Sequence, residues 1–137
     1  MPQSLSSIIK AANSTLIIEG KPDAIGNFFT PDYLAHVTGE DLKLGHEGIR
    51  KFLGLYQRAF TDLQMEVEIL VEGKDRVAWQ RTLRGTHTGP FKGFPASGLS
   101  IMWREVVTSR FCDGRIAEEW VISDLAERLL LSRKRPN

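Results

Sequence analysis

The residues best suited to chemistry lie in the second half of the chain. Asp124 closes a predicted last strand in which Ile116, Trp120, Ile122 and Asp124 share one face if alternation is regular. A carboxylate ending a largely apolar row holds its proton more tightly than in water. Burial disfavours the charged form and moves the group from about 3.9 toward acid/base behaviour near neutrality. Asp124 also suits a helix N-cap, since Glu127 follows three residues on as in a capping box; position alone favours the cap over the catalyst. Two histidines are candidate partners. His87 ends Arg84-Gly85-Thr86-His87, where glycine lets the backbone bend and aim a side chain inward. His36 follows Tyr33 and Leu34 in a short extended segment, and either histidine also fits a purely structural role. Glu105 and Glu118 each interrupt an apolar face; a bulge near Asp113-Gly114 would turn them outward, and without it one lies inside. Trp79, Trp103 and Trp120 fall on strands, where a large aromatic is usually core and less often pocket wall. The three histidines have no metal-ligand spacing, and no nucleophile set, phosphate loop or dinucleotide fingerprint is present in context, so neither metal nor cofactor is expected.

Composition narrows the classes. The 137 residues fit a single domain, predicted over 1–137, and such a chain buries roughly two-thirds of its unfolded surface. Lys plus Arg number 18 against 17 Asp plus Glu, which removes any general attraction to nucleic acid or anionic membrane. A single cysteine, Cys112, cannot form an intramolecular disulfide and suits a reducing compartment. With no signal-like or spanning apolar run, the expected location is cytoplasmic, with neither nucleic acid nor membrane as a partner. The basic end over 132–137 reads as a solvated tail.

The elements that must position these residues change character midway. Leu5, Ile8, Ile9, Ala12 and Leu16 recur at helical spacing before Gly20; Pro22 to Phe29 reads as a short second helix; Ile49, Phe52, Leu53, Tyr56 and Phe60 mark a third. Period two then takes over at Met65, Val67, Ile69 and Val71. Further strands are predicted at Val77 to His87, Leu99 to Phe111 and Ile116 to Asp124, the last two joined by an Asp113-Gly114 hairpin. Helices first and antiparallel strands after predict an α+β fold with helices on one face of the sheet. Long twisted strands curl, and helices too short to fill the hollow leave an apolar pocket.

Taken in order, Gly45-x-x-x-Ile49-Arg50, Ala59-Phe60-Thr61-Asp62-Leu63, Gly85-Thr86-His87-Thr88-Gly89-Pro90-Phe91, Gly93-Phe94-Pro95-Ala96-Ser97-Gly98 and Arg110-Phe111-x-Asp113-Gly114-x-Ile116-x-Glu118-Glu119-Trp120-x-x-x-Asp124 closely resemble the SnoaL-like polyketide cyclase (ester cyclase) family, over about residues 5 to 126. The resemblance implies a nuclear-transport-factor-like cone, a curved antiparallel sheet packed against three N-terminal helices, and a homodimer. It implies cofactor-free, metal-free catalysis of an intramolecular aldol ring closure, or a related isomerisation, on a small apolar carbonyl compound. Asp124 would be the general acid/base, which reverses the preference for the cap. His87 would stand beside it, and His36, Tyr33, Trp79, Arg81, Trp103, Trp120 and Glu118 would contact substrate. The family often has Trp in place of Arg81 and Pro in place of Thr61, so Arg81 would add a positive charge to the pocket wall. The alternative expectation is a non-catalytic dimeric module of the same fold that binds a small molecule.

Overall fold

The computed structural model describes residues 4–38 and 40–133. The chain enters through helix α1 (Leu5–Asn13), capped by the Ser4 hydroxyl, which accepts the Ser7 N–H at 3.1 Å. Its buried stripe of Ile9 and Ala12 continues to Leu16 through a wider π-helical turn, Ser14–Ile18. The expected helix over the first segment is therefore two forms in series, and a π turn of this kind commonly marks a functional region. A 3₁₀ turn at Pro22–Ala24 and α2 (Ile25–Phe28) occupy the predicted second helical segment.

Strand β1 (Phe29–Val37) and β2 (Glu40–Lys43) follow, then α3 (Gly45–Ala59), β3 (Phe60–Glu72), β4 (Arg76–His87), β5 (Ser100–Cys112), β6 (Arg115–Ser123) and α4 (Leu125–Arg133). The six strands form one curved sheet in the order β2-β1-β6-β5-β4-β3. The Asp113-Gly114 hairpin forms as predicted, with φ of +51° and +80° at its two central residues. At Gly89 the loop after β4 passes so close to α3 that a Cβ there would lie 2.1 Å from the Arg58 carbonyl oxygen, and the Thr88 and Gly89 N–H groups both reach the Ala59 carbonyl.

Two features depart from the expected antiparallel sheet under three N-terminal helices. β1 runs parallel to β6, with His36 opposite Trp120. Also, α4 adds to the three N-terminal helices a fourth at the C-terminal end, starting at Leu125 as the capping reading of Asp124 expects and burying Leu125 and Leu129. β1 was harder to foresee because Pro31 and Asp32 break its alternation. The core lies between the helices and the concave face, where Ile9, Leu83, Trp103 and Ile116 are all buried. Of the expected basic tail, Ser132 and Arg133 belong to α4; Lys134 and Arg135 lie outside the described residues. Among the described residues no helix is long and apolar enough to cross a membrane.

Candidate active site

The concave face of the sheet and the helices leave a cavity of about 420 Å³. Apolar side chains from α1, the π turn and α3 form one wall, among them Ile9, Leu16 and Leu53. β1, β4, β5 and β6 form the other, and they bring to it Tyr33, Trp79, Arg81, Glu105 and Glu119.

The two carboxylates are both buried, and their surroundings differ. Arg81 stands in register with Glu105 across the β4–β5 pair and directs Nε and Nη2 to Glu105 Oε1 at 2.7 and 2.6 Å. Glu105 Oε2 accepts the Tyr56 hydroxyl at 2.8 Å, the Ser123 hydroxyl at 2.9 Å and the Trp103 indole N–H at 3.2 Å. Arg81 Nη1 also donates to Asn13 Oδ1 at 2.7 Å, and the Asn13 amide donates to the Ile9 carbonyl. Burial pushes Glu105 up, but the Arg81 charge and the Tyr56, Arg81 and Ser123 bonds outweigh it and hold the carboxyl below its ordinary value.

Glu119 has hydroxyls where Glu105 has a guanidinium. The Tyr33 phenol donates to Oε1 at 2.6 Å, the Ser109 hydroxyl donates to Oε2, and the Trp79 indole N–H donates to Ser109 Oγ at 2.9 Å. Burial raises the Glu119 pKa, and the Ser109 and Tyr33 bonds with the more distant Arg81 charge offset only part of that rise. Burial and then the charge of Glu119 push Tyr33 well above the ordinary tyrosine value, so its phenol stays protonated. Two carboxyl groups with pKa values driven apart in one cavity form an arrangement suited to acid/base work.

Of the residues expected from the sequence, Tyr33, Trp79 and Arg81 line this cavity, and Trp103 stands behind it as a donor to Glu105. Asp124 does not line it. Ile116 and Ala117 are both buried where the β5–β6 register shifts between Arg110 and Phe111, so alternation breaks there. Beyond the break the odd positions Glu119, Val121 and Ser123 reach the cavity, while Ile122 is 68 % exposed. Asp124 Oδ1 accepts the Arg104 N–H at 2.8 Å, Oδ2 accepts Arg128 Nε at 3.2 Å, and its carbonyl accepts the Arg128 N–H at the start of α4. The face assumed for Asp124 was that of a regular strand; the bulge reverses it.

His87 points inward but stops short of the cavity lining. It is 1 % exposed, its ring packs 5.4 Å from that of Phe60, and Nδ1 meets the Ser97 hydroxyl at 3.3 Å. Burial lowers its pKa, against a smaller opposing effect of a backbone bond at Gly89. His36, Glu118 and Trp120 belong to the convex face: His36 stacks on Trp120 at 5.1 Å and bonds Asp41 and Glu118 at 2.6 and 2.7 Å. Glu119, Tyr56, Asn13 and Ser109 were not anticipated. Glu119 was legible in principle as the neighbour of Glu118, since one of two adjacent strand residues must face inward.

The curved α+β sheet closed by helices holds an apolar cavity with a few converging polar groups, the kind of place in which small-molecule sites are found. The chain belongs to the SnoaL-like polyketide cyclase family, whose family model matches residues 8–130. AclR from Streptomyces galilaeus, described as a candidate hydroxylase, is 28% identical, with 96% of this chain and 97% of that one covered and a TM-score of 0.77. IdmH from Streptomyces antibioticus, described as a candidate polyketide cyclase, is 26% identical, with 97% and 100% covered and a TM-score of 0.79. A candidate polyketide cyclase from Acidithiobacillus ferrooxidans, at 22% identity, 98% and 97% coverage and a TM-score of 0.83, shares the fold. No curated protein matches the chain.

Proposed function

We propose that the protein is a cyclase-type enzyme that performs cofactor-independent acid/base chemistry on a small apolar carbonyl compound, by aldol ring closure or a related isomerisation. The observation that carries this reading is Glu119: a carboxyl with a raised pKa, buried in the wall of a guest-sized cavity and held by two hydroxyls. The role expected of Asp124 falls to Glu119 on this reading, because Asp124 bonds Arg104 and Arg128 instead. The Glu119 carboxylate takes the proton from a carbon acidified by a neighbouring carbonyl. Once protonated, Glu119 becomes a donor to Tyr33, which turns the Tyr33 O–H toward the developing enolate or alkoxide oxygen. Glu105 stays ionised against Arg81 and takes no proton; the pair fixes the floor on which the substrate lies.

The test is proton exchange in heavy water on 2-tetralone, an uncharged bicyclic ketone, followed by NMR. The native protein is expected to accelerate loss of the protons beside the carbonyl over buffer. One positioned proton-transfer group typically contributes about 10² to 10⁴, so Glu119→Gln should remove most of the acceleration with the circular dichroism spectrum retained. Asp124→Asn should stay within about twofold, by the same reasoning. Full exchange in Glu119→Gln overturns the assignment. No acceleration by the native protein supports the non-catalytic binding module instead.

A further inference from the structure

The mouth of the cavity carries a residue that this chemistry does not use. Between β4 and β5 the chain makes a two-residue hairpin, in which Phe91 and Phe94 exchange backbone bonds of 2.9 and 2.8 Å. The two residues between them both have positive φ, +42° at Lys92 and +86° at Gly93. Glycine enters that region freely, but a lysine is strained there, and such strain is characteristic of positions where the side chain has a use.

Lys92 lines the cavity and is exposed, which places it at the open end; the half-buried Phe52 and the buried Phe91 line the wall beside it. Its Nζ lies 6.0 Å from the Phe52 ring centre and 5.9 Å from that of Phe91, so the two rings hold the ammonium at the entrance. Arg81 and Lys92 are the cations on the cavity lining among the described residues. Arg81 is taken up by Glu105 and Asn13, whereas Lys92 makes no ion pair among the described residues. Glu40 is also at the mouth, and its exposure leaves it solvated. A ligand's anionic group has no free cation to meet deep inside, beside two carboxyls; at the mouth it meets Lys92 with water still at hand.

We propose that Lys92 is a specificity-determining residue, and that the preferred ligand has an apolar ring body inside the cavity and a single anionic group, such as a carboxylate or ionised phenol, held by the Lys92 ammonium at the entrance. The proposal rests on the reading of the cavity as a small-molecule site and specifies which molecules it takes.

Two fluorescent probes with nearly the same skeleton test it: 8-anilinonaphthalene-1-sulfonate, which is anionic, and N-phenyl-1-naphthylamine, which is neutral. They are titrated into the native protein and into Lys92→Asn; asparagine is at ease at positive φ, so the turn survives. The native protein is expected to bind both at one site, each displacing the other, with the sulfonate preferred at low salt and the preference shrinking as salt rises. Lys92→Asn should weaken the sulfonate about three- to tenfold and leave the neutral probe within about twofold, at an unchanged or raised Tm. Equal weakening of both probes, an unchanged sulfonate affinity, or no mutual displacement would overturn the proposal. Probe binding needs no turnover, so failure of 2-tetralone exchange and failure of charge discrimination are separate results.

Discussion

Glu118 and Glu119 are consecutive residues of β6, yet they belong to two different chemistries. Glu118 faces the convex side of the sheet, where His36 and Arg110 bond it at 2.7 and 2.9 Å, and these bonds lower its pKa. Glu119 faces the cavity, where burial raises its pKa and two hydroxyls offset only part of that rise. Strand parity assigned the face, and the face assigned the partner. A carboxylate beside cations is fixed in its charge state, while one beside hydroxyls in a dry wall remains able to accept and release a proton. Glu105 refines the comparison. It is as deeply buried as Glu119, yet Arg81 returns it to the ionised condition of Glu118. The kind of partner therefore decides the protonation state when burial is held equal.

Removing the cation from each face should give the largest difference. Arg81→Met leaves Glu105 charged and unpaired in the interior, and breaking a buried pair from one side costs about 3–5 kcal/mol. Arg110→Met removes a partly exposed partner of Glu118 and should cost only a small fraction of that. Urea denaturation of the two variants measures both; equal losses would show that the two faces do not differ as argued. A smaller effect should follow pH. Because the folded value of Glu119 is raised, the folded chain holds its proton over a range in which the unfolded chain has released it. Stability from this group is thus complete below the ordinary value of 4.5 and falls as pH rises through the raised one. Glu119→Gln should flatten that decline in a series of Tm measurements across pH, and an unchanged slope would show that Glu119 is not the group responsible.

The architecture was readable because period and punctuation agreed: helical spacing before Phe60, alternation after it, and Asp113-Gly114 at the last hairpin. The site was readable in part. Tyr33, Trp79 and Arg81 are site residues that the family resemblance implies, and all three line the cavity. Asp124 did not follow, because a bulge adds one residue to a strand without changing its composition, and one residue reverses every face beyond it. The coupling of Arg81 to Glu105 was also hidden, since it depends on the β4–β5 register, and nothing in the sequence marks two residues 24 positions apart as partners. Tyr56 belongs to the apolar spacing of the third helix and Asn13 to no motif; that they close the same polar cluster is a property of how α1 and α3 cross the sheet.

The smallest expected effect lies on the convex face and concerns His36. Bonds from Asp41 and Glu118 raise its pKa above the ordinary 6.5, while burial opposes them. A histidine with a raised folded value lends stability that is full below 6.5 and is lost as pH rises through the raised value. Glu118, with a lowered folded value, lends stability that is present above 4.5 and is lost as pH falls through the lowered value. The network's contribution should therefore peak between these two titrations and decline on both sides. His36→Gln removes the decline on the alkaline side and also the stacking on Trp120, which does not depend on pH. The Tm difference between native protein and variant should be greatest just below 6.5 and settle at high pH to the constant part left by the lost stacking. A difference that stays flat across that range, with an NMR titration of the ring at its unshifted value, would mean that Asp41 and Glu118 do not hold His36 as an ion, and that the convex face is as uncommitted in charge as the cavity wall.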